Sequence, residues 1–383
     1  MAGQENEEII EEYPKGFRSE ARDEGKRDYV RSCLRQYGEN SLCGLALEDD
    51  KSWFFPGQVD GFASYALSGH TMVICGDPVC KREQIPAFLS ELEEFAGKKH
   101  LNVVFLFVLE KNLPFYHDAG YGCYKTGEEA TFDVGSWSMA GGKMAKVRSS
   151  WHTAQHKGLT VHEYCPLKHR DPDVERQMQE ITDQWLGDKH TARLQFAVGS
   201  LMLGHPEEKR YFYAADPDGR IQGFNVLNPY LGGKGWIIDI MRRREDAPHG
   251  VMELLFHDIM QTLKAENVQY MSLGIAPFFN TNDGQDPSLF EKAEHYIYGH
   301  MNYIYGFKPL QEAKEKYGPV WSNVYLACHP KHMSPWMDLA ACSILDSAGF
   351  SDYVRAFLDM QKARKEKKEE MKEEKEQTVQ SRG

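Results

Sequence analysis

The alternation of apolar and polar positions predicts the same order of elements twice along the chain. In the first pass, short strand-like runs are separated by glycine and polar turns, and an apolar stripe at helical spacing follows them. One later run is continuously apolar, which is typical of a central strand covered on both faces. The predicted elements are strands at 52–57, 61–67 and 71–75, a helix at 85–95, a strand at 103–109, a short helix at 113–119 and a strand at 121–134.

The second pass begins after a basic stretch and contains a clear hairpin signal. The sequence DPDG at 216–219 is a turn between two strand-like runs. The predicted elements are a strand at 160–164, a helix at 174–185, hairpin strands at 211–215 and 220–227, a strand at 236–241, a helix from about Pro248, a strand at 270–275, and closing strands at 303–307 and 323–327.

Two consecutive β-β-β-α-β-α-β passes predict the α/β (α+β) class, with tandem GNAT-like folds (the acyl-CoA N-acyltransferase fold) whose mixed sheets are flanked by helices. The predicted divisions are an acidic extension at 1–27, a first GNAT-like domain at 28–138, a second at 139–330 with the basic linking helix and the catalytic motif, and a C-terminal helix with a charged tail at 331–383. A length of 383 residues agrees with about two domains.

Composition narrows the class of protein. With 41% hydrophobic and 27% charged residues the chain is globular, and no apolar run approaches the roughly 18 residues of a membrane span. The acidic start is unlike a signal peptide, so we expect a cytoplasmic protein. The eight cysteines form no CxxC pair, so no metal site is expected. The net charge of −12 argues against DNA as a partner and restricts any polyanion to a local basic patch.

The densest group of chemically capable residues lies where the strand at 236–241 meets the next helix. Arginines beside a helix N-terminus form an anion cradle, although a surface cluster of ion pairs explains the same residues about as well. Strand alternation places Asp239 and Arg242 on opposite faces of the strand, unless a bulge or the strand end redirects one of them. The group comprises Asp239, Arg242, Arg243, Arg244 and Asp246.

Ordinary acetyltransferases hold the pyrophosphate of coenzyme A at this strand-to-helix junction with a glycine-rich loop, whose backbone N–H groups approach the phosphates. The segment RREDAPHG at 243–250 lacks the paired glycines. The sequence therefore favours another acyl donor, and we expect no cofactor.

Four segments carry a family resemblance. They are TGEEATFDV at 126–134, IDIMRRREDAPHGVMELLF at 238–256, SLGIAP at 272–277 and KEKYGPVWSNVYLA at 314–327. They resemble the soluble C-terminal domain of bacterial phosphatidylglycerol lysyltransferases, the multiple peptide resistance factors. The resemblance implies a tandem-GNAT enzyme that moves an aminoacyl group from aminoacyl-tRNA to a lipid hydroxyl, such as that of phosphatidylglycerol, at the inner face of the membrane.

The resemblance also implies roles for individual residues. Asp239 and Arg242 match the DxxR of the family's site, and Lys316 or its neighbour Lys314 matches a lysine before the aromatic-x-Pro-x-Trp segment. We expect Asp239, Arg242 and Lys316 to be catalytic. The expected substrate-binding residues are Arg243, Arg244, Asp246, Lys314, Glu128 and Ser272. From spacing alone, an exposed and charged helix face is the favoured explanation of the two lysines.

Binding of tRNA needs positive surface, and cations gather between the two passes. The expected tRNA-binding residues are Lys143, Lys146, Arg148 and Lys157. A solvated linker helix is the alternative. For the whole chain, the competing functions are a CoA-dependent N-acyltransferase and a noncatalytic module that binds tRNA or a partner. The amino acid, the acceptor, the oligomeric state and the choice between hydrolase and transferase stay open.

Overall fold

The structure, a computed structural model, describes residues 24–188, 199–277, 279–281 and 307–345. The helices are α1 Glu24–Tyr37, α2 Ile85–Lys98, α3 Leu113–Asp118, α4 Ala145–His156, α5 Pro172–Asp188, α6 Val251–Ala265, α7 Phe307–Glu315 and α8 Pro335–Leu345. The strands are β1 Ser52–Phe54, β2 Gly61–Ser68, β3 Thr71–Cys75, β4 Val79–Cys80, β5 Asn102–Leu109, β6 Gly122–Asp133, β7 Thr160–Tyr164, β8 Arg210–Ala215, β9 Ile221–Tyr230, β10 Gly235–Arg243, β11 Tyr270–Pro277 and β12 Val320–His329. A 3₁₀ helix at Ser41–Leu47 is called the bridging helix below.

The strands form one mixed sheet in the order β1-β2-β3-β5-β12-β6-β11-β10-β9-β8-β7, with β4 paired to β2. Each pass contributes one parallel pair, β3 with β5 and β10 with β11. Helix α2 connects the first pair and α6 the second, as a parallel connection requires. The predicted class, a mixed sheet flanked by helices with two similar passes, is confirmed.

The two passes share their last strands. Strand β6, which ends the first pass, pairs with β11 of the second, and β12 pairs with both β5 and β6. Each pass therefore completes its sheet with hydrogen bonds to the other. The division at 138 and 139 is crossed by this pairing, and the other domain boundaries stay predictions.

The two faces of β10 belong to different cores. Ile237 packs with Leu42 and Leu45 of the bridging helix, whereas Ile238 packs with Leu255 of α6. Helix α4 packs on α6 through Val147. The bridging helix and the pair α4–α6 therefore lie on opposite faces of the sheet.

The structure adds elements that periodicity does not predict. Helix α1 is mostly polar, and the bridging helix is short. Helix α6 begins at Val251 rather than near Pro248, because Gly250 adopts the left-handed φ of 94° just before it. The predicted strand at 303–307 lies almost entirely outside the described residues, and the predicted charged tail lies outside them as well. Across the described part of the chain, no helix is long and apolar enough to cross a bilayer.

Candidate active site

A β-bulge places Asp239 and Arg242 on the same face of β10. The pairing of β10 with β9 shifts register between Ile238 and Ile240, which inserts one extra residue at Asp239. Residues three apart on a regular strand face opposite sides. Here Asp239 approaches Asn228 of β9, and Arg242 reaches Thr182 of α5 on the same face. The bulge, which is the expected exception to strand alternation, is therefore present at Asp239.

The bulge lies where β10 and β11 separate. Their parallel ladder runs from Gly235 and Tyr270 to Ile237 and Ser272. Beyond this point β10 continues against β9, and β11 continues against β6. Asp239 therefore lies two positions beyond Ile237, the last residue of β10 that pairs with β11. At this point a gap opens between β10 and β11.

Asp239 is buried among hydrogen-bond donors. Its Oδ1 accepts from the Gly199 N–H at 3.1 Å and its Oδ2 from the Asn228 amide at 3.0 Å, and Lys209 Nζ lies 3.8 Å from Oδ2. Burial raises the pKa of the Asp239 carboxyl, while the charge of Lys209 opposes the rise. Asp239 is thus a buried acid that needs a nearby cation to remain ionised.

A second buried carboxylate comes from the first pass. Glu48, at the end of the bridging helix, accepts from Lys209 Nζ at 2.8 Å and from the Ser200 N–H and Oγ at 3.0 and 2.6 Å. Burial opposes ionisation, but Lys209 and Ser200 keep the pKa of Glu48 below its ordinary value. Two carboxylates therefore share one ammonium, that of Lys209.

Arg242 supplies the positive counterpart. The residue is 7% exposed, its Nη1 donates to Thr182 Oγ1 at 3.0 Å, and its guanidinium carbon lies 4.8 Å from the centre of the Trp185 ring. Burial lowers the pKa of Arg242, and the charge of Asp239 acts against that change. A guanidinium stacked on an aromatic ring is held in place, ready to face developing negative charge.

The two candidate lysines occupy different environments. Lys314 is 9% exposed, and its Nζ donates to the Ile275 carbonyl at 2.6 Å beside Gly274 of β11. Burial lowers the pKa of Lys314 to about 7, against the charge of Glu129. Lys316 instead forms a surface ion pair with Glu253 at 2.7 Å. The interior position belongs to Lys314.

The neighbouring glutamates of β6 make separate contacts. Glu129 accepts a hydrogen bond from Ser272 Oγ at 2.5 Å. Ser272 Oγ in turn accepts a hydrogen bond from the Gly274 N–H at 2.9 Å. Glu128 is also buried but binds Lys125 and Asn280, each at 2.8 Å. Ser272 therefore belongs with Glu129 and Lys314, while Glu128 lies in a different polar group.

Of the remaining residues of the arginine motif, Arg243 and Asp246 are exposed, whereas Arg244 is half-buried. Arg244 donates to the Ile221 carbonyl at 2.7 Å and pairs with Glu180 at 3.3 Å. Exposed Asp246 pairs with Arg220 at 2.9 Å. These contacts match the ion-pair alternative, and a substrate-binding role for Arg243, Arg244 and Asp246 stays a prediction.

The basic residues predicted to bind tRNA lie on and beside α4. Lys143, Lys146 and Lys157 are exposed, and α4 contains no acidic residue. Arg148 differs from them because its guanidinium donates to the Met139 carbonyl and, at 2.7 Å, to the Gly141 carbonyl. Three lysines are thus presented to solvent, while Arg148 closes the loop before the helix.

Helix α4 also covers the N-terminus of α6. A Cβ added at Gly250 would lie 1.9 Å from the Ser150 carbonyl oxygen, and Ser150 Oγ is 2.8 Å from His249 Nε2. This junction is where an acetyltransferase grips the coenzyme pyrophosphate, so the contact argues against the CoA alternative. Within the described ranges, no three His, Cys, Asp or Glu side chains are grouped to hold a metal ion.

Several site residues escaped the sequence reasoning, namely Glu48, Lys209, Asn228 and Glu129. Glu48 begins the charged run EDDK, which directly follows an apolar stretch. Glu128 and Glu129 are adjacent within a strand, so their side chains face opposite sides of the sheet. Those two signals could have identified Glu48 and Glu129. Lys209 and Asn228 have no local signal, because long-range packing alone brings them to Asp239.

Comparison with known proteins shows the family of this chain. A sequence model of the family described as "Phosphatidylglycerol lysyltransferase, C-terminal" matches residues 31–328. The phosphatidylglycerol lysyltransferase of Bacillus subtilis (strain 168) is 30% identical over 296 residues, 77% of this chain and 34% of that protein. The Staphylococcus xylosus protein of the same name is 26% identical over 332 residues, 84% of this chain and 38% of its own length. The chain thus spans little more than a third of these relatives.

Solved structures of similar length agree more closely in extent. L-PGS from Bacillus licheniformis superposes with a TM-score of 0.73 at 25% identity, covering 86% of this chain and 98% of that one. A C-terminal domain (DUF2156) from Agrobacterium fabrum gives a TM-score of 0.73 at 26% identity, covering 85% and 98%. The family match and these two structures confirm the resemblance seen in the sequence, and this chain belongs to the family of phosphatidylglycerol lysyltransferase C-terminal domains.

Proposed function

We propose that this chain transfers an aminoacyl group from aminoacyl-tRNA to a lipid hydroxyl, with phosphatidylglycerol, which the relatives' names contain, as the acceptor. The observation that carries the proposal is the bulge at Asp239, which brings a buried carboxylate and a buried guanidinium to one face of β10. An aminoacyl ester presents an ammonium group beside a carbonyl. It therefore needs a negative and a positive group side by side.

The carboxylates of Asp239 and Glu48 bind the aminoacyl ammonium. Their oxygens now accept hydrogen bonds from the Gly199 N–H and from Ser200. These donors are neutral, whereas an ammonium brings its own positive charge to a carboxylate. The two carboxylates share only the ammonium of Lys209, so the incoming ammonium displaces the neutral donors.

The reaction exchanges one ester for another. The acceptor hydroxyl oxygen attacks the ester carbonyl carbon, a new C–O bond forms, and the bond to the ribose oxygen of tRNA breaks. The proton of the acceptor hydroxyl is transferred to that ribose oxygen as it leaves. The ester is already activated, so neither ATP nor a cofactor is needed. Arg242 stabilises the negative charge that develops on the carbonyl oxygen.

Lys314 accepts the proton in transit. Because burial lowers its pKa to about 7, a substantial share of this amine is neutral near neutral pH and able to act as a base. Glu129 and Ser272 line the same interior position on β6 and β11. Lys316, exposed beside Glu253, is assigned no proton-transfer role.

The tRNA and the membrane are the two macromolecular surfaces that this reaction requires. Lys143, Lys146 and Lys157 on and beside α4 contact the phosphates of the acceptor arm. Arg148 holds the loop that precedes them. The lipid is reached at the inner face of the membrane, where the protein binds peripherally. Each phosphate contact predicts tRNA binding that weakens steeply as salt rises.

The test combines charged tRNA with phosphatidylglycerol vesicles and measures amino-acid-modified lipid. Asp239→Ala or Arg242→Ala is expected to lower the transfer rate by about 100-fold or more, the usual effect of losing a charge-stabilising group. Glu94→Gln, which removes an exposed ion pair with Lys98 on α2, is the matched control and should transfer normally. Retained transfer in both site variants would remove these residues from the mechanism.

The same assay separates the competing functions. Acyl transfer from acetyl-CoA but not from charged tRNA would establish the CoA-dependent enzyme. Binding of charged tRNA with its ester intact would establish the noncatalytic module. Release of free amino acid without modified lipid would establish a hydrolase.

A further inference from the structure

A cavity beside the active-site cluster carries a row of arginines. It has a volume of about 310 Å³ and lies between α1, the bridging helix and the adjoining ends of β8, β9 and β10. Arg27, Arg31 and Arg35 are spaced four residues apart on one face of α1, and all three line it. A volume near 300 Å³ is at the lower end of small-molecule sites.

The arginine row is graded from the interior to the surface. Arg27 is 1% exposed, and the side chains of Arg31 and Arg35 are 11% and 67% exposed. Burial, and then the charge of Arg31, lower the pKa of Arg27, whereas the charges of Asp49, Glu207 and Glu24 oppose the change. The outer end continues into a groove lined by Arg31, Arg35 and Gln36.

Acidic side chains currently hold the two outer arginines. Arg31 Nη1 pairs with Asp28 at 2.9 Å and its Nη2 lies 3.1 Å from Glu207, and Arg35 pairs with Glu208. A guanidinium paired with a carboxylate has the geometry that also receives a phosphate through two parallel hydrogen bonds. The carboxylates of Glu207 and Glu208 therefore occupy positions that a phosphate group could take.

The inner wall leads to the active-site cluster. Lys209 and Asn228 line the cavity, and both also approach the carboxylate of Asp239. Apolar surface from Leu47 and Trp236 completes this wall. A short ligand with its phosphate on the arginine row can thus direct its far end toward Asp239.

We propose that this cavity binds the phosphoglycerol headgroup of the acceptor lipid, with the phosphate on Arg27 and Arg31, Arg35 guiding its entry, and the terminal glycerol hydroxyl pointing toward Asp239. The proposal rests on the proposed function and adds the location of its acceptor. A glycerol phosphate is small enough for a cavity of about 310 Å³.

The test measures binding of sn-glycerol 1-phosphate to the full chain by calorimetry, without donor or transfer. Arg31→Gln is expected to weaken binding by about tenfold because one charge-assisted contact is lost. Glu208→Gln is expected to tighten binding by about threefold because a competing carboxylate is removed from Arg35. Arg176→Gln, which removes an exposed arginine paired with Asp173 and Glu180 on α5, should leave binding unchanged.

Three comparison ligands identify the chemistry. Glycerol should not bind, and inorganic phosphate should bind more weakly than glycerol phosphate. Equal binding of inorganic phosphate would overturn the headgroup assignment, and so would tighter binding of AMP that Arg31→Gln abolishes. With vesicles, phosphatidylglycerol should retain the protein better than phosphatidylcholine, and Arg35→Gln should reduce the difference.

These measurements are independent of the transfer reaction. Absence of glycerol phosphate binding overturns the cavity proposal even if lipid is aminoacylated. Normal binding without transfer supports the cavity and counts against the proposed function alone. If Arg31→Gln lowers the unfolding temperature, the tighter binding expected of Glu208→Gln still decides, because a purely structural role for these pairs predicts no gain.

Discussion

Each pass of the chain has an aspartate two residues beyond the last pair of its parallel ladder, and the two aspartates turn to different neighbours. The β3–β5 ladder ends at Cys75 and Leu106, and Asp77 follows. The β10–β11 ladder ends at Ile237, and Asp239 follows. Asp77 accepts from the Leu109 N–H of its parallel partner β5 at 3.0 Å. Asp239 instead turns back to β9.

The gap beside Asp77 is therefore closed by neutral hydrogen bonds, whereas the gap beside Asp239 is bordered by charged groups. Asp77 is surrounded by neutral donors of its own pass, with Asn112 at 3.0 Å, Asn40 at 3.2 Å and Tyr116 at 3.3 Å. Asp239 has Lys209 nearby and, through it, Glu48 from the other pass. The same position therefore serves architecture in the first pass and is available for chemistry in the second.

The largest expected effect is on stability at the closed gap. Asp77→Ala should lower the free energy of unfolding by about 3 kcal/mol or more, because several buried donors lose their acceptor at once. Asp239→Ala should cost only about 1 kcal/mol, since Lys209 keeps its contact with Glu48. Urea unfolding at pH 7 measures both. Equal losses would contradict the division between an architectural and a chemical aspartate.

A pH effect of nearly the same size is expected from Lys314. Its pKa is about 7 when folded against an ordinary 10.5, so between these values the unfolded chain binds more protons. Stability contributed by this residue therefore rises with pH above 7, by about 2 kcal/mol between pH 7 and 9, and the burial penalty is complete below 7. Lys314→Met should remove this rise in unfolding experiments.

Transfer should follow the same titration. If Lys314 is the base, the rate rises with pH through about 7 in the native protein, and that limb is lost in Lys314→Met. A profile that keeps its limb in the variant would assign the base elsewhere.

A smaller effect is expected at Gly199, where the backbone crosses close to the carboxylates of Asp239 and Glu48. A Cβ there would lie 2.0 Å from Asp239 Oδ2 and 2.8 Å from Glu48 Oε1. Gly199→Ala should therefore displace the donors from the cluster and change the transfer rate by about tenfold. Gly204→Ala, which meets no atom within 4 Å, is the control. An unchanged rate in Gly199→Ala would mean that this crossing does not shape the site.

The fold was largely predictable because its signals are local. Alternation, the DPDG turn and the apolar stripe of α6 each arise within one element, and the strand predicted at 160–164 has the bounds of β7. The DxxR pair was also predictable, including a bulge as the condition for its use. Neither the closed gap nor the shared strands leave a periodic signal, because both depend on pairing between distant segments.

The rest of the site could not be predicted for a related physical reason. Glu48 and Ser200 are 152 positions apart and meet only through the packing of the bridging helix on the second pass. The sequence KEK likewise gives no way to tell Lys314 from Lys316, although the helix ends between them and only Lys314 is buried. Tertiary packing, not spacing, selects Lys314.

The smallest expected effect distinguishes those two lysines. Lys316 makes an ion pair with Glu253 at 2.7 Å, and its side chain is 38% exposed, so solvent screens the interaction. Lys316→Met should change the free energy of unfolding by at most about 0.5 kcal/mol and leave the transfer rate within about twofold of the native value. Its stability should also follow pH as the native protein does. Loss of transfer in Lys316→Met with normal transfer in Lys314→Met would reverse the assignment and return the catalytic role to the exposed lysine.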